Sequence, residues 1–221
     1  MENKNIFEDR LDAANQLLKV LPVENMKLES WIVFATSTGA LPIAKEIAKA
    51  IDGQFDFMFS EKVMAPLNSD CEIAIVTEKE EVVIHEELVR SFDINIEAIF
   101  VKAKEVFEQK LLPLLRIHRQ KDLINLEGKN VLLVDEGLNT GLTMMACIKT
   151  AIKLGAKSVS VATPIIPTAT ISDLESIADD LYYYRKIDHF VSIDFYYKSL
   201  EYIPQSEIET YLKKENHVNS L

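Results

Sequence analysis

Residues 131–144 read VLLVDEGLNTGLTM: an apolar run, two adjacent carboxylates, then hydroxyls and an amide held between two glycines. A strand of this kind ends at the carboxyl edge of a parallel sheet, where the following helix offers unpaired N–H groups and the positive end of its dipole. Gly137 and Gly141 let the intervening amides, those of Leu138, Asn139 and Thr140, converge on phosphate oxygens, and Thr140 and Thr143 add hydroxyl donors. Asp135 and Glu136 would repel that phosphate unless they bound something else, and neighbouring sugar hydroxyls or a divalent cation would serve. A phosphorylated sugar satisfies both halves. Leu142 stands where a P-loop needs lysine, and the glycine spacing does not match G-x-G-x-x-G, so ATPase and dinucleotide readings drop. The acidic pair is expected at an exposed edge.

These residues need a scaffold of alternating strands and helices. Apolar residues recur at helical spacing over residues 7–21, ending at Pro22. Residues 31–35 form a short apolar strand, Thr36-Ser37-Thr38-Gly39 a turn, and residues 43–51 a helix closed by Gly53. Taken alone, that turn reads as helix capping. With a strand at 55–59 this makes a βαβ unit, which demands a right-handed crossover and a parallel sheet. Residues 73–77 and 82–84 predict a hairpin whose charged tip, 78–81, is placed to close over a site. A largely helical insertion spans about 86–122, kinked or broken by Pro113, and is expected to form a flap or dimer surface. Strands at 131–134 and 158–162 flank a helix at 142–154. Pro164 and Pro167 bound a loop, and a helix at 171–178, a strand at 181–184 and a helix at 206–212 complete the chain. The expected fold is α/β, a single domain over 1–221 with a twisted, mainly parallel sheet flanked by helices.

The 221 residues carry 24 Lys+Arg against 35 Asp+Glu, a formal net charge of −11, which argues against nucleic acid as a partner. No apolar run approaches bilayer length, so no membrane association and a cytoplasmic setting are expected, with Cys71 and Cys147 as free thiols. His85, His118, His189 and His217 have no metal-ligand spacing. The aromatic clusters 182–184 and 195–197 read as packing surfaces.

The run Val-Leu-Leu-Val-Asp-Glu-Gly-Leu-Asn-Thr-Gly-Leu-Thr resembles the phosphoribosyl pyrophosphate (PRPP) binding motif of type I phosphoribosyltransferases. Phe7-Glu8-Asp9-Arg10, Asp12-Ala13-Ala14, Lys62, Ala65-Pro66, Asn68 and Glu72-Ile73-Ala74-Ile75 are similar to landmarks of a poorly characterised bacterial branch of that family. The resemblance implies a Rossmann-like sheet with a hood over the base site. It implies a Mg²⁺-dependent cytoplasmic enzyme, homodimeric and of nucleotide salvage, that displaces pyrophosphate from PRPP and joins a nitrogenous base to ribose. Carried over by position, Asp135 and Glu136 are the catalytic pair on the ribose hydroxyls. Gly137, Leu138, Asn139, Thr140, Gly141 and Thr143 hold the 5-phosphate, Thr36, Ser37, Thr38 and Gly39 form the pyrophosphate loop, and Lys62 is a possible ligand contact. Mg²⁺ is expected through PRPP, with Asp135 and Glu136 as the side chains that could assist.

The departures from the family fall on the catalytic side. The branch carries arginine and paired glycines in the pyrophosphate loop, and arginine where Glu61 stands; purine-type members place aspartate where Asn139 stands. These departures motivate an alternative: a phosphoribosyltransferase fold that binds PRPP or nucleotide in a regulatory role.

Overall fold

A computed structural model describes residues 6–66, 68–119 and 122–213. In chain order the elements are α1 (Arg10–Leu18), α2 (Val23–Met26), β1 (Trp31–Ala35), α3 (Leu41–Ala50), β2 (Gln54–Phe57), β3 (Ser60–Ala65), β4 (Asn68–Thr77), β5 (Val82–Ile84), α4 (Glu86–Ser91), α5 (Ile96–Val106), α6 (Leu112–His118), β6 (Asn130–Val134), α7 (Leu142–Lys153), β7 (Ser158–Pro167), α8 (Thr168–Glu175), β8 (Asp180–Ile187) and α9 (Glu207–Lys213).

Five strands form a wholly parallel sheet in the order β2-β1-β6-β7-β8. Its central strands are apolar on both faces because helices cover both. Val33, Ala35, Leu132 and Val134 pack with residues of α1 and α3, whereas Ile32, Phe34, Val131 and Leu133 pack with residues of α7. That double burial is why β6 reads as an uninterrupted hydrophobic run.

The antiparallel hood β3-β4-β5 lies between β2 and β6 in the chain. One set of its side chains joins Val89, Ile99, Ala103 and Val106 of α4 and α5 in a core of its own, while Ile75 and Val83 rest on Leu142 and Ala146 of α7. The hood thus stands on the helix that begins at the 131–144 motif.

Several boundaries differ from the sequence reading. The first helix starts only at Arg10, because Asp9 caps it by accepting the Asp12 N–H, and Phe7 instead bridges to Tyr197. The insertion is divided at Asp93, whose φ of +50° ends α4, and again by a π-helical turn at Phe107–Leu111. That turn ends two residues before Pro113, whose missing N–H falls in the first turn of α6, where a helix tolerates it. Residues 120 and 121, near the expected end of the insertion, lie outside the described residues, as does His217. β7 runs through Pro164 rather than stopping before it. Its pairing with β6 ends at Ala162, so the missing N–H leaves no β6 carbonyl unpaired. The tip at 78–81 does not border the cavity described below, and Glu78 is buried. Aromatic packing ties the segment before α1 to β8 and the segment after it: Phe7 lies 5.0 Å from the Tyr197 ring and 5.9 Å from that of Tyr184.

Candidate functional site

β1 and β6 are parallel neighbours in register, with Ala35 opposite Val134, so the loops that follow them leave the sheet side by side. Thr36 and Ser37 continue β1, and Asp135 and Glu136 continue β6. The first pair bonds the first acid: Thr36 Oγ1 donates to Asp135 Oδ2 at 2.9 Å, and Ser37 Oγ donates to Oδ1 at 2.7 Å. The Glu136 N–H also donates to Asp135 Oδ1, at 2.8 Å. Asp135 is only 7% exposed, not at an open edge as its sequence position suggests, because both loops close over it. Burial pushes its carboxyl up from 3.8 to about 6; the Ser37 hydroxyl opposes this and the Glu136 charge adds to it.

Glu136 has a different partner. Arg10 Nε donates to its Oε2 at 2.7 Å, with the two side chains 12% and 16% exposed, and Arg10 Nη1 donates to the Glu201 carbonyl. The Tyr197 hydroxyl donates to the Glu136 carbonyl at 2.6 Å. Gly39 permits this arrangement, since a Cβ there would fall about 2.1 Å from Glu136 Oε1. Arg10 belongs to the Phe7-Glu8-Asp9-Arg10 landmark, but its pairing across 126 residues is not visible in the sequence.

The loop from Gly137 into α7 follows. Gly137 sits where a side chain would meet Ile165, and the Leu138 N–H is committed to the Ile165 carbonyl at 3.1 Å. Gly141 adopts φ +76°, a left-handed turn into α7 that disfavours any side chain. Asn139 and Thr140 are exposed and Thr143 is half-buried. Among the described residues, the amides of Asn139, Thr140 and Gly141 take no protein acceptor, nor do those of Ser37, Thr38 and Gly39.

One cavity of about 700 Å³ gathers these groups. Thr36, Ser37, Thr38, residues 135–141, Thr143 and Lys62 all border it, whereas Gly39 lies behind, against Glu136. The hood adds Glu61, Asp70, Cys71 and Glu72, none of which the residue patterns marked as site residues. Lys62 is 64% exposed and is paired with Glu72 at 2.8 Å. Glu61 has its carboxyl raised, chiefly by burial, with Lys110 and Lys62 working in the other direction.

No group of three or more His, Cys, Asp or Glu residues among those described could hold a metal ion. With Asp135 and Glu136 already bonded to neighbours, the side chains do not form a ready site for Mg²⁺. Nor, among the described residues, is any helix long and apolar enough to cross a membrane.

Comparisons with known proteins agree with this architecture. Two Mycobacterium tuberculosis proteins, assigned as phosphoribosyl transferases without an established activity, are each 25% identical over 210 residues, which is 95% of this chain and 47% of theirs. The chain therefore spans about half the length of these curated relatives. The crystal structure of the Thermus thermophilus protein TT1426 superposes with a TM-score of 0.72 at 22% identity, covering 94% of this chain and 98% of that one. A sequence profile of the phosphoribosyl transferase domain matches residues 5–199, and the chain belongs to that family.

Proposed function

We propose that this protein is a phosphoribosyltransferase that moves ribose 5-phosphate from PRPP to a nitrogenous base and releases pyrophosphate. The observation that carries this reading is the meeting of two loops from adjacent parallel strands, with unbonded amides at residues 37–39 and 139–141 and two acids between them. Amides 139–141, with Thr140 and Thr143, would receive the 5-phosphate. Thr36, Ser37 and Thr38 would receive pyrophosphate, with Gly39 completing that loop and leaving room behind it for the Glu136 carboxylate. Asp135 and Glu136 would orient the ribose hydroxyls and stabilise positive charge developing at the anomeric carbon. Ribose binding at Asp135 would replace the Ser37 and Thr36 hydroxyls that now occupy its carboxylate. Mg²⁺ is expected to arrive on PRPP itself, whose oxygens can coordinate it. The homodimer expected from the resemblance belongs to this reading and is read out by light scattering.

A second reading is supported by charge. The cavity wall carries five carboxylates, those of Glu61, Asp70, Glu72, Asp135 and Glu136, against Lys62, which is already paired. The pyrophosphate loop offers hydroxyls and amides to a leaving group of high negative charge. A protein that binds nucleotide or PRPP in a regulatory role, without transfer, fits that weak neutralisation. Calorimetry with PRPP and Mg²⁺, followed by a pyrophosphate-release screen across nucleobases, separates the readings. Release with one base supports transfer; binding without release supports regulation; failure to bind any phosphosugar or nucleotide defeats both.

A further inference from the structure

Arg119 follows α6 and does not border the cavity, yet its guanidinium joins the segments that meet where the hood leaves the core sheet. Nη1 donates to Asp56 Oδ2 at 3.2 Å on β2, and Nη2 donates to the Phe57 carbonyl and to Glu78 Oε1, the latter at 2.8 Å. Nε lies 2.7 Å from Glu78 Oε2, and the guanidinium carbon sits 5.1 Å from the centre of the Phe59 ring. Glu78 also accepts the Phe59 N–H at 3.0 Å. The side chains of Arg119, Asp56 and Glu78 are 10%, 8% and 2% exposed. Two carboxylates thus share one guanidinium in a nearly dry corner, and burial raises the Glu78 carboxyl.

The position of this cluster matters more than its strength. Phe57, Phe59 and Ser60 border the cavity, and Ser60 is also the first residue of β3, paired with Thr77 beside Glu78. One side chain therefore fixes the point from which both long hood strands extend, and those strands carry Glu61, Asp70, Cys71 and Glu72 to the cavity. The 5-phosphate loop is shaped by Gly141 and by the Leu138 bond to Ile165, neither of which Arg119 touches.

We propose that Arg119 is a positioning residue that sets the hood against the core sheet, so that recognition of the base depends on a side chain that contacts no ligand. The inference rests on the phosphoribosyl reading above and adds to it a division of labour: the corner after β6 holds the sugar phosphate, and the Arg119 clamp shapes the side where the base is received.

The test is calorimetry of the wild type, Arg119→Met and Arg119→Lys with ribose 5-phosphate and with a panel of nucleoside 5-monophosphates. The methionine variant is expected to lose about tenfold or more in affinity for the preferred nucleotide, while ribose 5-phosphate changes little. Lysine, which keeps the charge but not the fork, is expected to restore part of the loss. Should Arg119→Met fail to fold, the combined Asp56→Asn, Glu78→Gln and Arg119→Met variant leaves no unpaired buried charge and carries the same expectation. Alkylation of Cys71 gives a second readout, because Cys147 is buried. Nucleotide is expected to protect Cys71 in the wild type and to protect it less in Arg119→Met. Equal losses for both ligands, or an unchanged ratio between them, overturn the role of Arg119 alone. A wild type that binds neither ligand overturns the phosphoribosyl reading and this inference with it.

Discussion

Asp135→Asn is expected to make the protein more stable at neutral pH while removing the ribose binding proposed for this side chain. The carboxyl is raised from 3.8 to about 6 by burial, so ionisation opposes folding. The sign follows from proton counting. Between these two values the unfolded chain has lost the proton while the folded chain retains it, so stability falls as pH rises through that window and the loss is complete above about 6. A shift of this size corresponds to about 3 kcal/mol at pH 8, with roughly half already present at pH 5. Asparagine fits the same bonds: its Oδ1 can accept from Ser37 and the Glu136 amide, and its Nδ2 can donate to Thr36 Oγ1. The Thr36 hydroxyl can then turn to the Val134 carbonyl, already 3.2 Å away. Imperfect amide geometry lowers the gain, and about 1–2 kcal/mol at pH 8 is expected, less at pH 5. Urea denaturation of both proteins at the two pH values measures it, and calorimetry with PRPP and Mg²⁺ measures the loss of binding. A variant less stable at pH 8, or a difference that does not widen with pH, would refute the reasoning.

Other perturbations test other parts of the site. Arg10→Met and Glu136→Gln should each destabilise by about 2–3 kcal/mol, since each strands a largely buried partner, and the double variant should cost less than their sum; denaturation of the three proteins decides it. Gly39→Ala drives a Cβ into the Glu136 carboxylate, so it should lower the melting temperature and weaken PRPP binding, whereas a wild-type profile would show that Glu136 can move aside freely. Thr140→Val should weaken ribose 5-phosphate binding by about tenfold with little change in melting temperature, because Thr140 is exposed and bonds only weakly to the Leu142 amide.

The parts of the fold visible in the sequence are those written by local rules. β6 and α7 are legible because a strand buried on both faces must be continuously apolar and because Gly141 marks the left-handed residue before the helix. β3 is not legible: SEKVMA has one buried position and no clean alternation, since its faces meet a cavity on one side and a small hood core on the other. The break at Asp93 is hidden because an aspartate takes the left-handed conformation that usually announces itself as glycine. Within the site, the two loops could be found from residue types, but the partners that hold them could not. Arg10 meets Glu136, and Arg119 meets Asp56 and Glu78, only after distant strands have docked. A charged residue in a −11 chain gives no sign of which opposite charge it will meet.

The order of strands in the sheet has a consequence for synthesis. β1 takes its inner neighbour from β6, almost a hundred residues later in the chain, with hood and insertion between them. Until that neighbour leaves the ribosome, the hydroxyls of Thr36 and Ser37 have no acid to bond. Assembly of this corner is therefore a long-range event, and a nascent chain halted before residue 130 would leave the β6 side of β1 as an unpaired strand edge, open to whatever else could pair with it.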